Sequence, residues 1–477
     1  MLNCQEFYNA CNPVEPLDFA IPKERQSYID FSSVRGRQVI DQMIKHISWG
    51  GNYTCQLFTG HIGCGKSTEL LRLKTKLEEE NKFFVVYFQA EEEVDPNDVD
   101  VSDILLAIAR RIIKSLEEDI RPPIRVTPNR FQSFLHDLAE FLNSQVTGLK
   151  IKIPKVGNLG ITSRNQEHSL AFGIGEITLK AKDSPDLRAL LRQYVEPRIK
   201  TILDIINSEL IEPAINQLKQ QEKAGLVVIV DNLDKVADTP KNDRRNQPEY
   251  LFIDRGQQLR QLNCHKVYTL PVNLVFSDEN NKLTDFLGGG NAPIIIPMIP
   301  VKLRERDEKG KDQENTAGMN LLRQMIMARA FPYRLEDERL TFITQVFDSE
   351  ATLDHLCQIS GGHVRILLRL LRQSLIVEPL NHQNSYCLSR TSLDEAIRQE
   401  RERERLTIKS KDQWKLLAQV AKDREITASP EYQPLLKQSA IFEYNYKQEK
   451  WFDVNPILTE TKEFKDQSKA ICEVSQS

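Results

Sequence analysis

The sequence predicts an α/β fold: a mostly parallel β-sheet covered by helices on both faces, followed by a helical segment and a small C-terminal domain. A glycine-rich loop lies between a strand pattern and a helix pattern in "LFTGHIGCGKSTELLRL" (57–73). Continuous apolar runs of the kind found in buried parallel strands recur at 83–90, 226–234, 265–276 and 292–301. Helical periodicity separates these runs, and such alternation is typical of a parallel sheet with helices on both faces.

The composition is that of a globular protein and excludes several classes. The chain has 477 residues, 40% apolar and 28% charged, enough for roughly two to four domains. A net charge of −4 excludes a wholly basic protein that coats nucleic acid. The eight cysteines form no CxxC pair and no cluster with histidine, which favours a reducing compartment. We find no secretory signal and no apolar run of bilayer-spanning length, so we expect a cytoplasmic protein without a membrane segment.

The predicted domain boundaries follow changes in periodicity and charge. They give an N-terminal arm at 1–30, an α/β domain at 31–301 with an insertion at about 117–222, a helical domain at 316–400, a C-terminal domain at 405–460 and a tail at 461–477. The arm contains three prolines and little periodicity, so we expect it to be extended or to wrap around another part of the molecule. The polar tail is expected to be frayed.

Local patterns predict the elements within these parts. Alternation of apolar and polar residues in "LKIKI" (149–153) and "AFGIGEITLKAK" (171–182) predicts a β-hairpin or small sheet in the insertion, followed by helix from about Ser184 to Gln221. The charged segment 302–315 is expected to be a mobile loop. In the C-terminal domain, helix patterns precede two short strands in 441–456, which is the order of a winged helix.

The glycine-rich loop has the G-x-x-x-x-G-K-[ST] pattern of phosphate-binding loops. Its glycines let the backbone curl so that N–H groups point at phosphate oxygens, and the next helix adds partial positive charge. In such a loop the lysine reaches the β- and γ-phosphates and the serine hydroxyl binds Mg²⁺, so the predicted cofactors are ATP and Mg²⁺. The predicted nucleotide-contacting residues are Gly60, His61, Ile62, Gly63, Cys64, Gly65, Lys66, Ser67 and Thr68.

Such a site also needs a carboxylate for the metal at the end of a neighbouring strand. Asp231 directly follows the apolar run "LVVIV" and is the predicted metal ligand, together with Ser67. Many ATPases place a glutamate next, to activate the attacking water, but this chain has Asn232, whose amide cannot accept a proton. Asp234 is the nearby replacement along the sequence. With Lys66, these three residues form the predicted catalytic set, and we expect hydrolysis that is slow or completed by a partner.

Five segments occur in a fixed order: "VRGR" (34–37), "GHIGCGKST", "VVIVDNLDK", "SGGHVRILLRLLRQ" and the C-terminal strand pair. This order resembles the AAA+ and STAND branch of phosphate-loop ATPases, which includes origin-recognition, KAP-type and NLR-like ATPases. The first segment resembles the hydrophobic-Gly-Arg motif, which implies nucleotide-binding roles for Gly36 and Arg37. The second matches Walker A and the third resembles Walker B. The fourth resembles the sensor 2 helix of a lid and places Arg365 where that family contacts the γ-phosphate.

The resemblance implies a P-loop NTPase sheet with a helical lid and a C-terminal winged helix. Asn232 departs from the family's glutamate, and Asn273 is only a candidate for the sensor 1 residue that orients water. Arg365, Arg369 and Arg372 share one helical face, which otherwise suits a solvated or salt-bridged surface. Candidates for an arginine finger acting on a neighbouring subunit's nucleotide are Arg244, Arg245, Arg255 and Arg260.

Three functions fit these features. The sequence favours an ATP-binding, slowly hydrolysing molecular switch whose ATP or ADP state controls homo-oligomerisation or a separate effector protein; by analogy of fold, a defence or mobile-element system would suit it. The alternative is a DNA-binding AAA+ ATPase that places its winged helix on duplex DNA, with Tyr444, Tyr446, Lys447, Lys450 and Trp451 in the hairpin. The third function is a scaffold that binds ATP without turnover, which the missing glutamate would allow.

Overall fold

The computed structural model describes residues 3–35, 38–80, 82–146, 148–152, 169–242, 245–379 and 387–474. Its strands are β1 (Cys55–Thr59), β2 (Phe84–Gln89), β3 (Leu226–Asp231), β4 (Pro240–Asn242), β5 (Arg245–Asn246), β6 (His265–Leu270), β7 (Ile294–Ile295), β8 (Lys302–Arg306), β9 (Asp312–Glu314), β10 (Ile441–Tyr446) and β11 (Glu449–Val454). Five of them form a central sheet in the order β2-β3-β6-β1-β7, in which every pair is parallel. The predicted α/β class is confirmed.

Four strands of the central sheet lie within the apolar runs of the sequence, and prolines shorten two of them, β6 and β7. β1, β3 and β6 are buried along their whole length, as expected for strands covered on both faces. The run 265–276 stops being a strand at Leu270 because Pro271, which has no N–H to donate, follows it. The run 292–301 contains three prolines and pairs with β1 only over Ile294–Ile295.

Helices cover both faces of the sheet, and many belong to the insertion between β2 and β3. The helices of this domain are Val39–Trp49, Lys66–Glu79, Ala90–Glu93, Val101–Glu118, Asn129–Gln145, Leu170–Asp183, Pro185–Val195, Ile199–Ile205, Glu212–Gln220, Gln247–Glu249, Gly256–Arg260, Val272–Val275 and Asn280–Lys282, with π-helical turns at Ile206–Ile211, Tyr250–Asp254 and Leu283–Leu287. The helical stretch predicted from Ser184 to Gln221 is therefore present, interrupted by a π-helical turn.

The β-hairpin predicted in the insertion is wrong where the structure describes that segment. Residues 171–182 lie in the helix Leu170–Asp183, which packs against Val101–Glu118. Gly175 explains the contact, because a Cβ added there would lie 2.7 Å from Nε of Arg110. Residues 149–152, also part of the prediction, are not in a strand, and 153–168 lie outside the described residues.

The helical and C-terminal parts follow the sheet in the predicted order. The helical domain, hereafter the lid, contains Thr316–Ala330, Glu336–Arg339, Ile343–Val346, Glu350–Ile359, Val364–Val377 and Arg390–Arg405. The C-terminal domain contains Lys411–Asp423, Gln433–Lys437, the antiparallel pair β10–β11, Pro456–Thr459 and Lys462–Val474. The arm contains Cys4–Ala10 and Pro22–Ser27.

Three terminal or loop expectations need correction. The charged segment 302–315 contains the hairpin β8–β9, because Lys302 forms ion pairs with Asp312 (2.7 Å) and Asp453 (2.8 Å). The tail is not frayed at its start: Lys462–Val474 is a helix that packs against Lys411–Asp423. The arm wraps around the lid, as one of its two predicted forms required, but it is partly helical rather than extended.

Two hydrophobic cores lie on opposite faces of the sheet. One packs the insertion helices against strand residues such as Leu57 and Val86. The other packs the lid against residues such as Phe58 and Val85, and it also contains Trp451 of the C-terminal hairpin. The lid and the hairpin therefore share one core with the sheet, and a third, smaller core lies within the C-terminal domain.

A disulfide joins the arm to the lid. Cys4 and Cys387 are bonded, with Cα atoms 5.8 Å apart. The scattered cysteine pattern did not predict this pair. Within the described ranges, no helix combines the length and apolar composition needed to cross a membrane.

Candidate active site at the phosphate loop

The loop between β1 and the helix Lys66–Glu79 has the backbone geometry of an anion-binding loop. Gly63 and Gly65 have φ angles of 94° and 104°, which residues with a side chain rarely adopt. The helix begins directly after Gly65, so the unpaired N–H groups of its first turn adjoin the loop. Gly63 is also required by packing, since a Cβ there would lie 2.6 Å from Cβ of Arg365.

Lys66 is buried and fully engaged within the site. Its ammonium donates hydrogen bonds to the carbonyls of Gly60 (2.8 Å) and His61 (2.9 Å) and forms an ion pair with Asp234 (2.9 Å). Burial acts to lower the pKa of Lys66, but Asp234, Cys64 and Asp231 together oppose it and the pKa is raised. The other oxygen of Asp234 is buried and lacks a hydrogen-bond partner among the described residues. Asp234 is thus the ion-pair partner of the loop lysine.

Asp231 lies fully buried at the end of β3, on the rim where the loop opens. Its carboxylate accepts hydrogen bonds from the Tyr87 hydroxyl (2.9 Å) and from the backbone N–H of Asn232 (2.7 Å). Burial and then Asp234 raise the pKa of Asp231, while a hydrogen bond with the Ser67 side chain opposes the rise. The two predicted Mg²⁺ ligands are therefore in contact. A hydroxyl beside a carboxylate is an oxygen set that suits Mg²⁺, so these residues fit the ion.

Asn232 contacts a carboxylate that the sequence did not single out. It has a φ of 63°, a left-handed conformation that asparagine adopts more readily than glutamate. Its side-chain amide donates a hydrogen bond to Oε1 of Glu91 (3.0 Å), and Lys235 forms an ion pair with the same oxygen (2.7 Å). Glu91 follows β2, the strand next to β3. In the sequence it is one of three consecutive glutamates, and no local signal distinguishes it from the others.

Arg365 is the lid arginine that reaches the loop. Its backbone N–H donates to the carbonyl of Gly63 (3.1 Å), and its guanidinium donates to the carbonyl of Pro13 in the arm (3.3 Å). Burial lowers its pKa, and the charge of Asp234 opposes this. Its two neighbours on the helix face elsewhere: Arg369 pairs with Glu400 and Glu404, and Arg372 donates to Asn12.

The predicted pair Gly36 and Arg37 lies outside the described residues. Arg35, directly before them, is buried and donates a hydrogen bond to the carbonyl of Cys64 (2.8 Å) in the loop. A cavity beside the loop is lined by residues flanking this segment, including Arg35, Val39 and Ile40. This part of the chain therefore contacts the loop through Arg35, two positions before the arginine to which the resemblance assigned a role.

His61 connects the loop to the C-terminal domain. Its Nδ1 lies 3.2 Å from the carbonyl of Leu436, and its Nε2 accepts a hydrogen bond from the backbone N–H of Glu443 (3.1 Å). Burial and then the charge of Lys66 lower the pKa of His61 to about 3, so the ring is neutral, with its proton on Nδ1. The ring also lies 5.9 Å from that of Phe442.

Two further loop positions contact neighbouring parts of the chain. The backbone of Ile62 forms a hydrogen bond with the ring of His363 at the start of the lid helix Val364–Val377. The Thr68 hydroxyl accepts a hydrogen bond from the backbone N–H of Leu17 in the arm (3.3 Å). Arm, lid and C-terminal domain therefore all meet the loop.

The remaining sequence candidates have other partners. Arg245 pairs with Glu279 and Asp254, and Arg255 pairs with Glu196. Arg260 donates to the carbonyl of Asp285, and Arg244 lies outside the described residues. None of the three described arginines has its guanidinium free in the part of the chain that the structure covers. Asn273 is buried just beyond β6, and its Oδ1 lacks a hydrogen-bond partner among the described residues, which keeps it a candidate.

The sheet order, the loop after β1 and the carboxylate at the end of β3 define the phosphate-loop NTPase fold. No family model and no curated protein matches the chain. Among solved structures, the chain is similar to a Walker-type ATPase of Pyrococcus abyssi, with 13% identity, 93% of this chain and 97% of that chain covered, and a TM-score of 0.39.

Two further solved structures are similar over most of their length. The ORC2 protein of Aeropyrum pernix, in ADPNP and ADP complexes, is 11% identical, with 92% of this chain and 93% of that chain covered and a TM-score of 0.39. Cdc6p of Pyrobaculum aerophilum is 12% identical, with 97% and 98% covered and a TM-score of 0.37. They belong to the origin-recognition-like ATPases that the sequence motifs resemble. The fold assignment itself rests on the sheet order and the loop.

Proposed function

We propose that the protein is a nucleotide-controlled switch of the AAA+/STAND kind. It binds ATP with Mg²⁺ at the phosphate loop, hydrolyses it, and uses the ATP or ADP state to set the position of the lid and the C-terminal domain. Those parts in turn control self-assembly or an effector protein, and a defence or mobile-element system is the setting that the fold analogy suggests.

The observation that carries the proposal is that the loop itself is the contact surface for the lid and the C-terminal domain. The lid binds the loop through the Gly63 carbonyl, and the C-terminal domain binds it through the His61 ring. A ligand shifts a conformational equilibrium only through different contacts with the two states. Phosphates bound in this loop change the surface on which both parts rest, so ATP and ADP have the means to favour different arrangements.

The charged residues of the loop have the roles that nucleotide binding needs. Lys66 would hold the β- and γ-phosphates, and Ser67 with Asp231 would hold Mg²⁺. Bound Mg²⁺ neutralises charge on the phosphates. Because Lys66 is paired with Asp234, phosphate binding must exchange that partner for phosphate oxygens. The exchange links occupancy of the site to the segment after β3.

The structure gives less support to the alternative of a DNA-binding ATPase. Two aromatic residues of the C-terminal hairpin that could stack on bases, Tyr444 and Trp451, are each only 1% exposed. Tyr444 donates a hydrogen bond to the carbonyl of Gly361 in the lid (2.8 Å), and Lys450 is paired with Glu443 (2.7 Å). The hairpin is thus used for packing against the lid.

The test measures nucleotide affinity, turnover and shape on the purified full chain. We expect the wild type to bind ATP and Mg²⁺ and to show different protease-cleavage patterns with ATP and with ADP. Lys66→Ala should weaken ATP binding about a hundredfold and abolish the difference, because the buried partner of the phosphates is gone. Lys74→Ala is the matched control: Lys74 lies on the same helix, is 34% exposed and pairs with Glu78, so affinity should stay within about twofold.

Two results would redirect the proposal. Tight ATP binding with identical cleavage patterns in ATP and ADP would indicate a scaffold that binds nucleotide without switching. Turnover that rises severalfold with duplex DNA, and that Lys66→Ala removes, would favour the DNA-handling alternative.

A further inference from the structure

We propose that Glu91 is the carboxylate that activates the attacking water, in place of the glutamate missing after Asp231. The inference rests on the proposed ATPase function and deepens it, because it assigns the proton acceptor of the same site. It also removes the main reason to expect slow hydrolysis.

The sheet places Glu91 on the correct rim. β2 and β3 are parallel neighbours, and Gln89 is paired with Asp231 in their register. Glu91 comes two residues after Gln89, beyond the carboxyl end of β2. In open α/β sheets this is the rim where ligands bind, since the loop after β1 opens on the same side.

The contacts of Glu91 are those of a carboxylate held by one oxygen. Oε1 accepts a hydrogen bond from the Asn232 amide (3.0 Å) and pairs with Lys235 (2.7 Å). Oε2 is buried and lacks a hydrogen-bond partner among the described residues. A general base needs a fixed orientation and one free acceptor, and both are present. Asn232 cannot accept a proton, but it orients a group that can.

The neighbouring acids are unsuited to the role. Glu92 is 46% exposed and pairs with Arg111. Glu93 has a fully buried side chain and pairs with both Arg110 and Arg111. Of the three consecutive glutamates, Glu91 is the one that contacts the segment after β3.

A charged residue of the lid also interacts with Glu91. Arg365 interacts electrostatically with both Asp234 and Glu91. Its backbone N–H binds the loop at Gly63. Together with the hydrogen bond from Asn232, this interaction places Glu91 on the same side of the sheet as the phosphate loop.

The proposed step is the hydrolysis of the terminal phosphate of ATP. The water oxygen forms a bond to the γ-phosphorus while the bond between that phosphorus and the β,γ-bridging oxygen breaks, and the electron pair leaves with ADP. The water proton passes to the Glu91 carboxylate and from there to solvent. The products are ADP and inorganic phosphate, and no oxidant or reductant takes part.

The test compares Glu91→Gln with Glu92→Gln in the full chain. Both changes remove one charge from adjacent positions, but only the first removes the proposed proton acceptor. For Glu91→Gln we expect kcat to fall at least about a hundredfold, while the Kd for a non-hydrolysable ATP analogue stays within about twofold. Glu92→Gln should change kcat less than about threefold. Glu91→Asp, which keeps the charge but withdraws it by one methylene, should lose at least about tenfold in kcat with an unchanged Kd.

The outcomes separate this inference from the function on which it rests. Failure of the wild type to bind ATP would refute both the proposed function and this inference. Wild type that binds ATP without hydrolysing it, or Glu91→Gln that turns over at the wild-type rate, would overturn the inference and leave nucleotide binding intact. If Glu91→Gln does not fold, Glu91→Asp with wild-type kcat would overturn it as well.

Discussion

Lys66 and Asp234 form a buried ion pair at the centre of the site. Their side chains are only 5% and 4% exposed, and the ammonium has two further carbonyl partners. Removing one member of such a pair leaves an uncompensated charge in a poorly solvated place, which is strongly destabilising. ATP would supply new negative charge to Lys66, so the pair and the nucleotide compete for the same ammonium.

We expect Asp234→Asn to lower the free energy of unfolding of the nucleotide-free protein by about 3 kcal/mol. Since the competing partner is lost, ATP should bind about tenfold more tightly and restore most of the stability. Urea unfolding with and without ATP, together with titration calorimetry, measures both effects. Asp238→Asn is the control, because Asp238 is 42% exposed and pairs with Lys437 at 3.5 Å; its effect should stay below about 0.5 kcal/mol. Equal behaviour of the two variants would contradict the competition.

At this scale the sequence predicted residues that lie in the loop or directly after a strand. Lys66 and Asp231 are examples, because local spacing alone defines them. Glu91 was not predictable, because its assignment depends on a hydrogen bond to Asn232, which is 141 residues away. The ion pair between Asp234 and Lys66 was not predictable for the same reason, because only the folded chain brings the two residues together.

Among whole elements, those whose burial repeats along the sequence were predicted best. The strands β2, β3 and β6 are continuous apolar runs because both faces of the sheet are covered. The helix Leu170–Asp183 was missed because its glycines and alternating polar residues also suit a strand. Its close packing on Arg110, a contact between distant parts of the chain, favours the helix. The hairpin β8–β9 was missed because its charged residues pair with Asp453 and Arg424, far along the chain.

The contact between the loop and the lid helix Val364–Val377 depends on the absence of a side chain at Gly63. Its φ of 94° is unfavourable for any other residue, and a Cβ would lie 2.6 Å from Arg365 and 2.7 Å from His363. Gly63→Ala should therefore destabilise the protein by about 2 kcal/mol or more and separate the lid from the loop.

Gly51→Ala is the matched control, because a Cβ at Gly51 has nothing within 4 Å and its φ is not left-handed. It should change stability by less than about 0.5 kcal/mol. Urea unfolding measures the difference, and hydrogen exchange of the lid amides reports whether the lid has separated. If Gly63→Ala unfolds at the same urea concentration as Gly51→Ala, the close approach of the lid does not contribute to stability.

Across the whole molecule, separate parts of the chain converge on one short loop. The arm contacts it at Thr68, the lid at Gly63 and the C-terminal domain at His61. The lid and the C-terminal hairpin also share a hydrophobic core with the sheet, so neither part moves without exposing apolar surface. Such packing favours two discrete arrangements over a continuous range, as a switch requires.

We expect the contact between His61 and the C-terminal domain to depend on pH. The ring is buried beside Lys66, which disfavours a second positive charge, and its neutral form bonds the C-terminal domain through both nitrogens. Burial, followed by Lys66, lowers its pKa from 6.5 to about 3. Between these values the unfolded chain binds a proton that the folded protein does not. The stability contribution is therefore fully present above pH 6.5 and is lost as the pH falls toward 3.

We expect wild-type stability to fall between pH 6 and pH 4, with His61 contributing roughly 1.4 kcal/mol per pH unit. His61→Gln should be less stable at pH 7, because its contacts with Leu436 and Glu443 are weakened, and its stability should depend less steeply on pH by about one proton.

Burial also lowers the pKa of His265 and His363, so both proteins retain some dependence, and the difference in slope isolates His61. Urea unfolding at pH 7, 6, 5 and 4 measures the slopes. His46→Gln, which replaces an exposed histidine, serves as the control. Identical slopes for wild type and His61→Gln would mean that the ring titrates alike in the folded and unfolded chain, and that the contact between the loop and the C-terminal domain does not depend on its neutral form.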